Sequence, residues 1–475
     1  MRISFFLICS VFISGTVLAQ DKFDTYPQTF VVNKDSFALR WGNTDIDKYK
    51  FASDTANFNS GAVKGSFFVV FYNNDSVVLK YKNKIPYGQY TYFNFIAKGE
   101  KKTIRLGFDS QSSIFTKEQI QQTTGKVLFD IPEVYELANI IWTLSPTGAR
   151  AKDLNKQGSY YNKMVAHFKP YLNHPVFKAL DFPDSTYFIN YYDFRENSFA
   201  FNFQDPKPGS TNTRLLFNGP YYHIWGNELA DSSLFGKLKP LVEDFAKKSQ
   251  FRQFYKNNLA TYQKDIEREK SLLPVKQMWS WLEQQFPTIN YQSYRIVFSP
   301  LIGGSHSTQN FWSDNDGKDF RQTVMFICNA DRVDTVTVFS EKQKEGVLSG
   351  VVFTEIDHNY VNRITNKYRK AIDSVFSNKS VWVKEGLSKN FYSGPVNIFN
   401  EYMTWSVFCL YVLDNYNKTD ADIVINERET RMVDKRDFIR FREFNNALIK
   451  IRKENAALTV AELYPFIINW CRQQL

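Results

Sequence analysis

The chain has 475 residues, 43% of them hydrophobic, with a formal net charge of +10 and four cysteines. That length and apolar content support large buried cores and two or three domains, which excludes a disordered or low-complexity chain. The basic excess admits an acidic cell-surface polymer as partner, but no RNP, helix-turn-helix or finger signature accompanies it, so nucleic acid is not an expected partner.

Met1-Arg2 gives a short positive start, Phe5 to Val17 is almost wholly apolar, and Val17-Leu18-Ala19 presents small residues ahead of Gln20. This is the pattern of a secretory signal peptide over 1–19, so the mature protein is expected in the periplasm or outside the cell. Cys9 lacks the small residues that a lipoprotein signal places before its cysteine, and no later run reaches the ~20 apolar residues of a membrane span. Cys328, Cys409 and Cys471 remain after cleavage, an odd and sparse set expected to be buried thiols rather than a disulfide framework. Departure of Arg2 lowers the charge to +9.

Residues 20–125 are rich in strand signals. Phe67 to Tyr72, Ser76 to Tyr81, Gln89 to Ile96 and Thr103 to Phe108 are separated by the turn compositions Asn73-Asn74-Asp75, Pro86-Tyr87-Gly88 and Lys98-Gly99-Glu100. They predict a small antiparallel β-domain. Aromatic residues make up 17% of the chain, but many lie in such strands or recur on helices, where core packing accounts for them and no glycan site is inferred.

Residues 126–270 predict a mixed, mainly helical region. Glu133 to Leu144 and Tyr160 to Leu172 have helical periodicity, His174-Pro175 starts another helix, Tyr187 to Phe203 has the composition of a β-hairpin, and helices fill much of Leu234 to Phe286. His167 and His174 are separated by Pro170 and are not expected to share a metal, and His223 is expected to be structural.

The remainder, 271–475, opens with two strands, Tyr294 to Ser299 and Gln322 to Cys328. A long helix follows: Leu348, Val352, Ile356, Tyr360, Ile364, Tyr368 and Ile372 recur every fourth residue. Ser340 with Gln343 offers a capping box, while Gly346 and Gly350 weaken the first turns. This helix carries Phe353-Thr354-Glu355-Ile356-Asp357-His358-Asn359-Tyr360, which is the zinc-peptidase motif H-E-x-x-H with threonine in place of its first histidine. At roughly 100° per residue, Thr354, Glu355 and His358 look into one pocket. Asp357 falls on the far side, solvated or structural.

Phe399-Asn400-Glu401-Tyr402-Met403-Thr404-Trp405-Ser406 runs into Val407 to Leu413, apolar on every side and therefore a buried helix. A carboxylate there must be paired, capped or metal-bound. Glu401 is thus either a metal ligand, or a first-turn residue favouring the helix dipole, or the partner of an arginine such as Arg431 or Arg436. The basic stretch from Arg428 to Lys453, interleaved with Phe438, Phe441, Phe444, Leu448 and Ile451, predicts an amphipathic helix with a solvated charged face.

Together T-E-I-D-H-N-Y, N-E-Y-M-T-W, the segment Ile131 to Ile140 and His174-Pro175 resemble a domain-of-unknown-function family of secreted bacterial proteins, itself similar to divergent gluzincin metallopeptidases. With the N-terminal antiparallel β-domain read from the strand pattern, the expected fold class is α+β; the resemblance covers about Lys126 to the C-terminus and implies a mainly helical zincin-like region with a small sheet and an active-site helix, the metallopeptidase-like domain taking 271–475. It places Glu355 as general base, His358 and Glu401 as metal ligands, and zinc as cofactor. It also implies that the second strand lines a cleft for an extended substrate.

Threonine is a poor substitute for imidazole, and three arrangements follow. His306, in the glycine-rich Gly303-Gly304-Ser305-His306-Ser307, restores the missing imidazole. Alternatively Glu355 becomes a ligand beside His358 and Glu401, an oxygen-rich set open to Mn²⁺ or Fe²⁺ as well as Zn²⁺. Or Thr354, Glu355, His358 and Glu401 form a hydrogen-bonded cluster without metal. The first two leave a metal-dependent peptide hydrolase, in which Glu355 takes the proton of a metal-polarised water only if it is not itself a ligand. The third leaves an inactive peptidase-like protein that holds a peptide or a cell-surface partner in the same cleft.

Overall fold

The computed structural model describes residues 113–475 except 227–228, 316–317 and 385–393, and, upstream, the backbone of eight strands between Gln28 and Leu106. The expected signal peptide, 1–19, lies outside the described residues. The upstream strands include Phe67–Tyr72, Asp75–Lys80, Thr91–Ala97 and Glu100–Leu106, close to the expected positions. They pair as two four-stranded sheets, one antiparallel and one mixed, the latter because Gln28–Val32 and Thr55–Asn57 run parallel to their neighbours.

The fold from residue 113 onward is mixed α/β and mainly helical. One small mixed sheet is built from β1 (Val127–Asp130), β2 (Ser293–Phe298), β3 (Ser307–Asn315) and β4 (Lys318–Ile327), in the order β3-β4-β2-β1. β1, β2 and β4 run parallel and β3 is antiparallel to β4. The second predicted strand, β4, is therefore internal, and the edge belongs to β3, which was not anticipated. Its sequence, Ser-Thr-Gln-Asn-Phe-Trp-Ser-Asp-Asn, is too polar to announce a strand. Two of its polar side chains find partners on distant helices: Asn310 Nδ2 donates to Asn359 Oδ1 at 2.6 Å, and Gln309 Nε2 to Glu196 Oε2 at 2.9 Å.

Helices pack around this sheet. α1 (Glu133–Leu144) is buried from Val134 to Thr143. The segment expected as a hairpin is instead α2 (Tyr187–Asn197), followed by a 3₁₀ turn. Aromatic and β-branched composition imitates a strand here. Only helical spacing, however, puts Tyr187, Tyr191 and Phe194 on one face, where their ring centroids lie 5.9, 5.5 and 5.9 Å from Trp142 of α1. Further along come α3 (Leu259–Leu272) and α4 (Val275–Gln285).

The long helix α5 (Glu341–Lys367) begins with the expected capping box: Ser340 Oγ accepts from Gln343 N at 3.2 Å and Gln343 Oε1 accepts from Ser340 N at 3.1 Å. It packs against α6 (Pro395–Asn415), buried from Ile398 to Val412, and α7 (Lys418–Thr430). A five-residue π-turn, Arg431–Lys435, separates α7 from α8 (Phe441–Glu454), so the basic stretch is not one continuous helix. Nor is its charge all solvated: Arg428 is 1% exposed, with its guanidinium carbon 4.5 Å from the Trp405 ring centre and 4.9 Å from that of Phe408. The three described cysteines are free and buried.

Gly350 makes the Arg428 position reachable. A Cβ there would overlap the Arg428 guanidinium and crowd Phe408, and one at Gly346 would crowd Val424. The glycines that weaken the start of α5 are what let α7 approach. Gly350→Ala, worth about 1 kcal/mol in favour of an exposed helix, is expected here to destabilise by about 1–3 kcal/mol, read as a lower urea midpoint with unchanged slope.

Candidate functional site

The candidate site lies where α5 faces α6 and the π-turn. His358 Nε2 is 3.6 Å from Glu401 Oε1, and its Nδ1 lies 3.5 Å from Asn362 Oδ1, one turn further along α5. Glu401 sits well inside α6, not in its first turn, so the helix dipole does not account for it. Its other oxygen, Oε2, is 2.9 Å from Arg436 Nη2, and the Arg436 guanidinium carbon lies 4.6 Å from the Trp405 ring centre. Arg431, the other arginine considered, pairs with Glu427 at 2.6 Å. Glu401 and His358 keep only 11% and 22% of their side-chain surface in contact with solvent, so these charges are little screened.

Thr354 is buried, and its hydroxyl donates to the Val351 carbonyl of the preceding turn at 2.9 Å. Glu355 is half-buried; burial first, then the neighbouring Glu401 carboxylate, pushes its carboxyl up to about 8, with Arg436 acting against the shift. Burial also lowers the His358 imidazole, which Glu401 partly offsets. Asp357, expected to be solvated or structural, is fully buried. Desolvation, Glu401 and Glu355 hold it well above the usual carboxylate range, opposed by Arg428.

His306 precedes β3. Its Nδ1 accepts the Cys328 backbone N–H at 3.2 Å, and its carbonyl accepts the Tyr192 hydroxyl at 3.4 Å. The loop is fixed from α2, where the buried Arg195 donates to Tyr191 Oη at 2.6 Å, Glu196 Oε1 at 3.0 Å and the Ser305 carbonyl at 3.1 Å. The structure thus brings His358 to Glu401, leaves Glu355 within reach of the Glu401 charge, and gives His306 partners of its own. Among the described residues no three His, Cys, Asp or Glu side chains converge as a metal-holding group.

Sequence reasoning did not find Trp405, the buried position of Arg428 or the Arg195–Glu196 pair. The first had a signal, since Trp405 follows Glu401 by four residues and lies one turn along the same helix. Comparison with models of known protein families, with curated proteins and with solved structures finds no match to this chain.

Two outcomes follow from the geometry. Removing Arg436 leaves Glu401 buried without its cation, so Arg436→Met is expected to destabilise on the order of 2 kcal/mol, and Glu401→Gln in that background is expected to recover most of the loss in a urea double-mutant cycle. The raised Glu355 carboxyl keeps a proton in the folded chain that the unfolded chain releases above its ordinary value of 4.5. Its contribution is therefore fully present in acid and lost as pH rises towards about 8. Glu355→Gln is expected to flatten part of the fall in Tm across that window.

Proposed function

We propose that this protein is a peptidase-like scaffold that holds an extended peptide over the Glu355–His358 cleft without hydrolysing it. The observation that carries this reading is the ion pair of Arg436 with Glu401. A catalytic zinc takes three protein ligands and a water. Here the Thr354 hydroxyl proton is committed to Val351, Glu401 Oε2 is matched by a guanidinium, and His306 Nδ1 is held by Cys328. With Glu355 kept as the base, what remains for a metal is one imidazole and one carboxylate oxygen, a donor set that does not fit zinc. The oxygen-rich alternative with Glu355 as ligand meets the same obstacle, because a divalent ion beside Glu401 would face the charge of Arg436.

The zincin-like reading is supported by an antiparallel edge strand, β3, tied to the helix that bears the motif through Asn310 and Asn359. Ahead of Trp312, whose carbonyl accepts the Ser113 hydroxyl at 2.9 Å, such an edge offers main-chain groups to an extended peptide. The same reading takes residues 20–125 as a separate β-rich domain, supported by strands that pair only with one another among the described residues, and 1–19 as an export signal.

The test is a pool of random decapeptides incubated with the protein and analysed by mass spectrometry. Retention of intact peptides, weakened by substitutions on β3, is the expected result; cleavage that Glu355→Gln abolishes would contradict it. In calorimetry Thr354→His alone is expected to gain little zinc affinity, and Thr354→His with Arg436→Ala to bind about one ion per chain. Equal zinc affinity in the two variants would remove Arg436 from the explanation.

A further inference from the structure

The other edge of the sheet carries a second feature, independent of the cleft over α5. Tyr294 N donates to the Lys126 carbonyl at 3.2 Å, and β1 runs parallel to β2 in the register Tyr294 with Val127 and Ile296 with Phe129. Bonding groups alternate along a parallel ladder, so Lys126 and Leu128 face β2, whereas the N–H and C=O groups of Val127 and Phe129 face away from it. β1 ends the sheet, and among the described residues no hydrogen bond reaches these outward groups.

Beside this edge is an open cleft of about 550 Å³, within the usual size range for a bound ligand. Lys126, Val127 and Phe129 form one wall; Leu273, Val275 and Lys276, where α3 gives way to α4, form the other. Leu273 and Val275 are buried, so the floor is apolar, while Lys126 and Lys276 are exposed. No carboxylate lines the cleft, and Asp130, the nearest on the strand, is engaged at 2.6 Å by Arg295.

We infer that this cleft is a docking site for an extended acidic peptide segment, which adds to β1 as a fifth strand and sets its carboxylates against Lys126 and Lys276. Each part of the surface has a counterpart in such a segment. The outward backbone groups supply the ladder, the apolar floor takes alternate side chains, and the two ammonium groups select the sign of the charge. A lysine at a sheet edge also discourages indiscriminate pairing, so a basic or neutral strand is refused while an acidic one is accepted.

The probe is a fluorescein-labelled octapeptide alternating valine and glutamate, with its valine–lysine counterpart as control, followed by fluorescence anisotropy on the full chain. The acidic peptide is expected to bind, the basic one roughly tenfold more weakly or not at all, and Lys126→Glu with Lys276→Glu to reverse that preference. Val127→Pro removes one outward donor without touching a bond to β2 and is expected to weaken the acidic peptide, while thermal unfolding reports whether the strand survives. His358→Ala and Arg436→Met are expected to leave this binding unchanged, which separates it from the cleft over α5. Equal binding of the two peptides, indifference to the double charge reversal, or no binding at millimolar peptide would overturn the inference and leave the lysines as guards of a bare edge.

Discussion

Two guanidinium groups, those of Arg428 and Arg436, lie 4.5 and 4.6 Å from the ring centre of Trp405, and the candidate site is organised around the positive charge they carry into the interior. Guanidinium is more weakly hydrated than ammonium and stacks on aromatic faces, so an arginine can be buried where a lysine would be costly. Once there, it changes what its surroundings must be. Gly350 has to lack a side chain to leave room for Arg428, α7 has to close on α5, and a π-turn has to bring Arg436 round to Glu401. The Glu401 carboxylate then meets its counter-charge from protein, whereas burial holds the Glu355 and Asp357 carboxyls above the usual carboxylate range. The threonine at position 354 is turned away from this charge, its hydroxyl donating to the Val351 carbonyl of its own helix.

The sheet supplies the other half of the design. Its antiparallel edge, β3, is held to α5 by the Asn310–Asn359 contact and to α2 through Glu196, while Arg195 ties down the glycine-rich loop that carries His306. Arg195 and Glu196 are fully buried, so the hydrogen bonds they make to each other and to this loop and strand offset part of the cost of taking their charges out of water. The opposite edge, β1, is bordered by lysines and an apolar floor. The two edges of this small sheet thus differ in dress, polar side chains on one and lysines on the other.

Much of this was legible in the amino-acid order, and the exceptions have physical causes. The start of α5, the extent of α1 and the buried character of α6 follow from capping chemistry and apolar periodicity, both local properties. Glu355 and His358 were readable as neighbours because helical spacing is also a local fact, whereas the link to Glu401 on another helix came only from the resemblance. The α2 segment misled because Tyr, Phe and Ile suit strands, and only the distant Trp142 decides in favour of a helix. β3 was hidden because its polar side chains find partners on α2 and α5, far away in sequence. The burial of Arg428 and Asp357 was hidden for the same reason: whether a charge in an amphipathic pattern is solvated depends on which helix later lies over it.

The measurement that bears most directly on the central claim is the metal content of the purified wild-type protein, determined by inductively coupled plasma mass spectrometry after incubation with Zn²⁺ or Mn²⁺ and dialysis. The account predicts far less than one ion per chain, with arginine serving as the counter-charge of Glu401. Near-stoichiometric metal that disappears in both His358→Ala and Glu401→Ala would contradict it, and would return the site to the metal-dependent hydrolases.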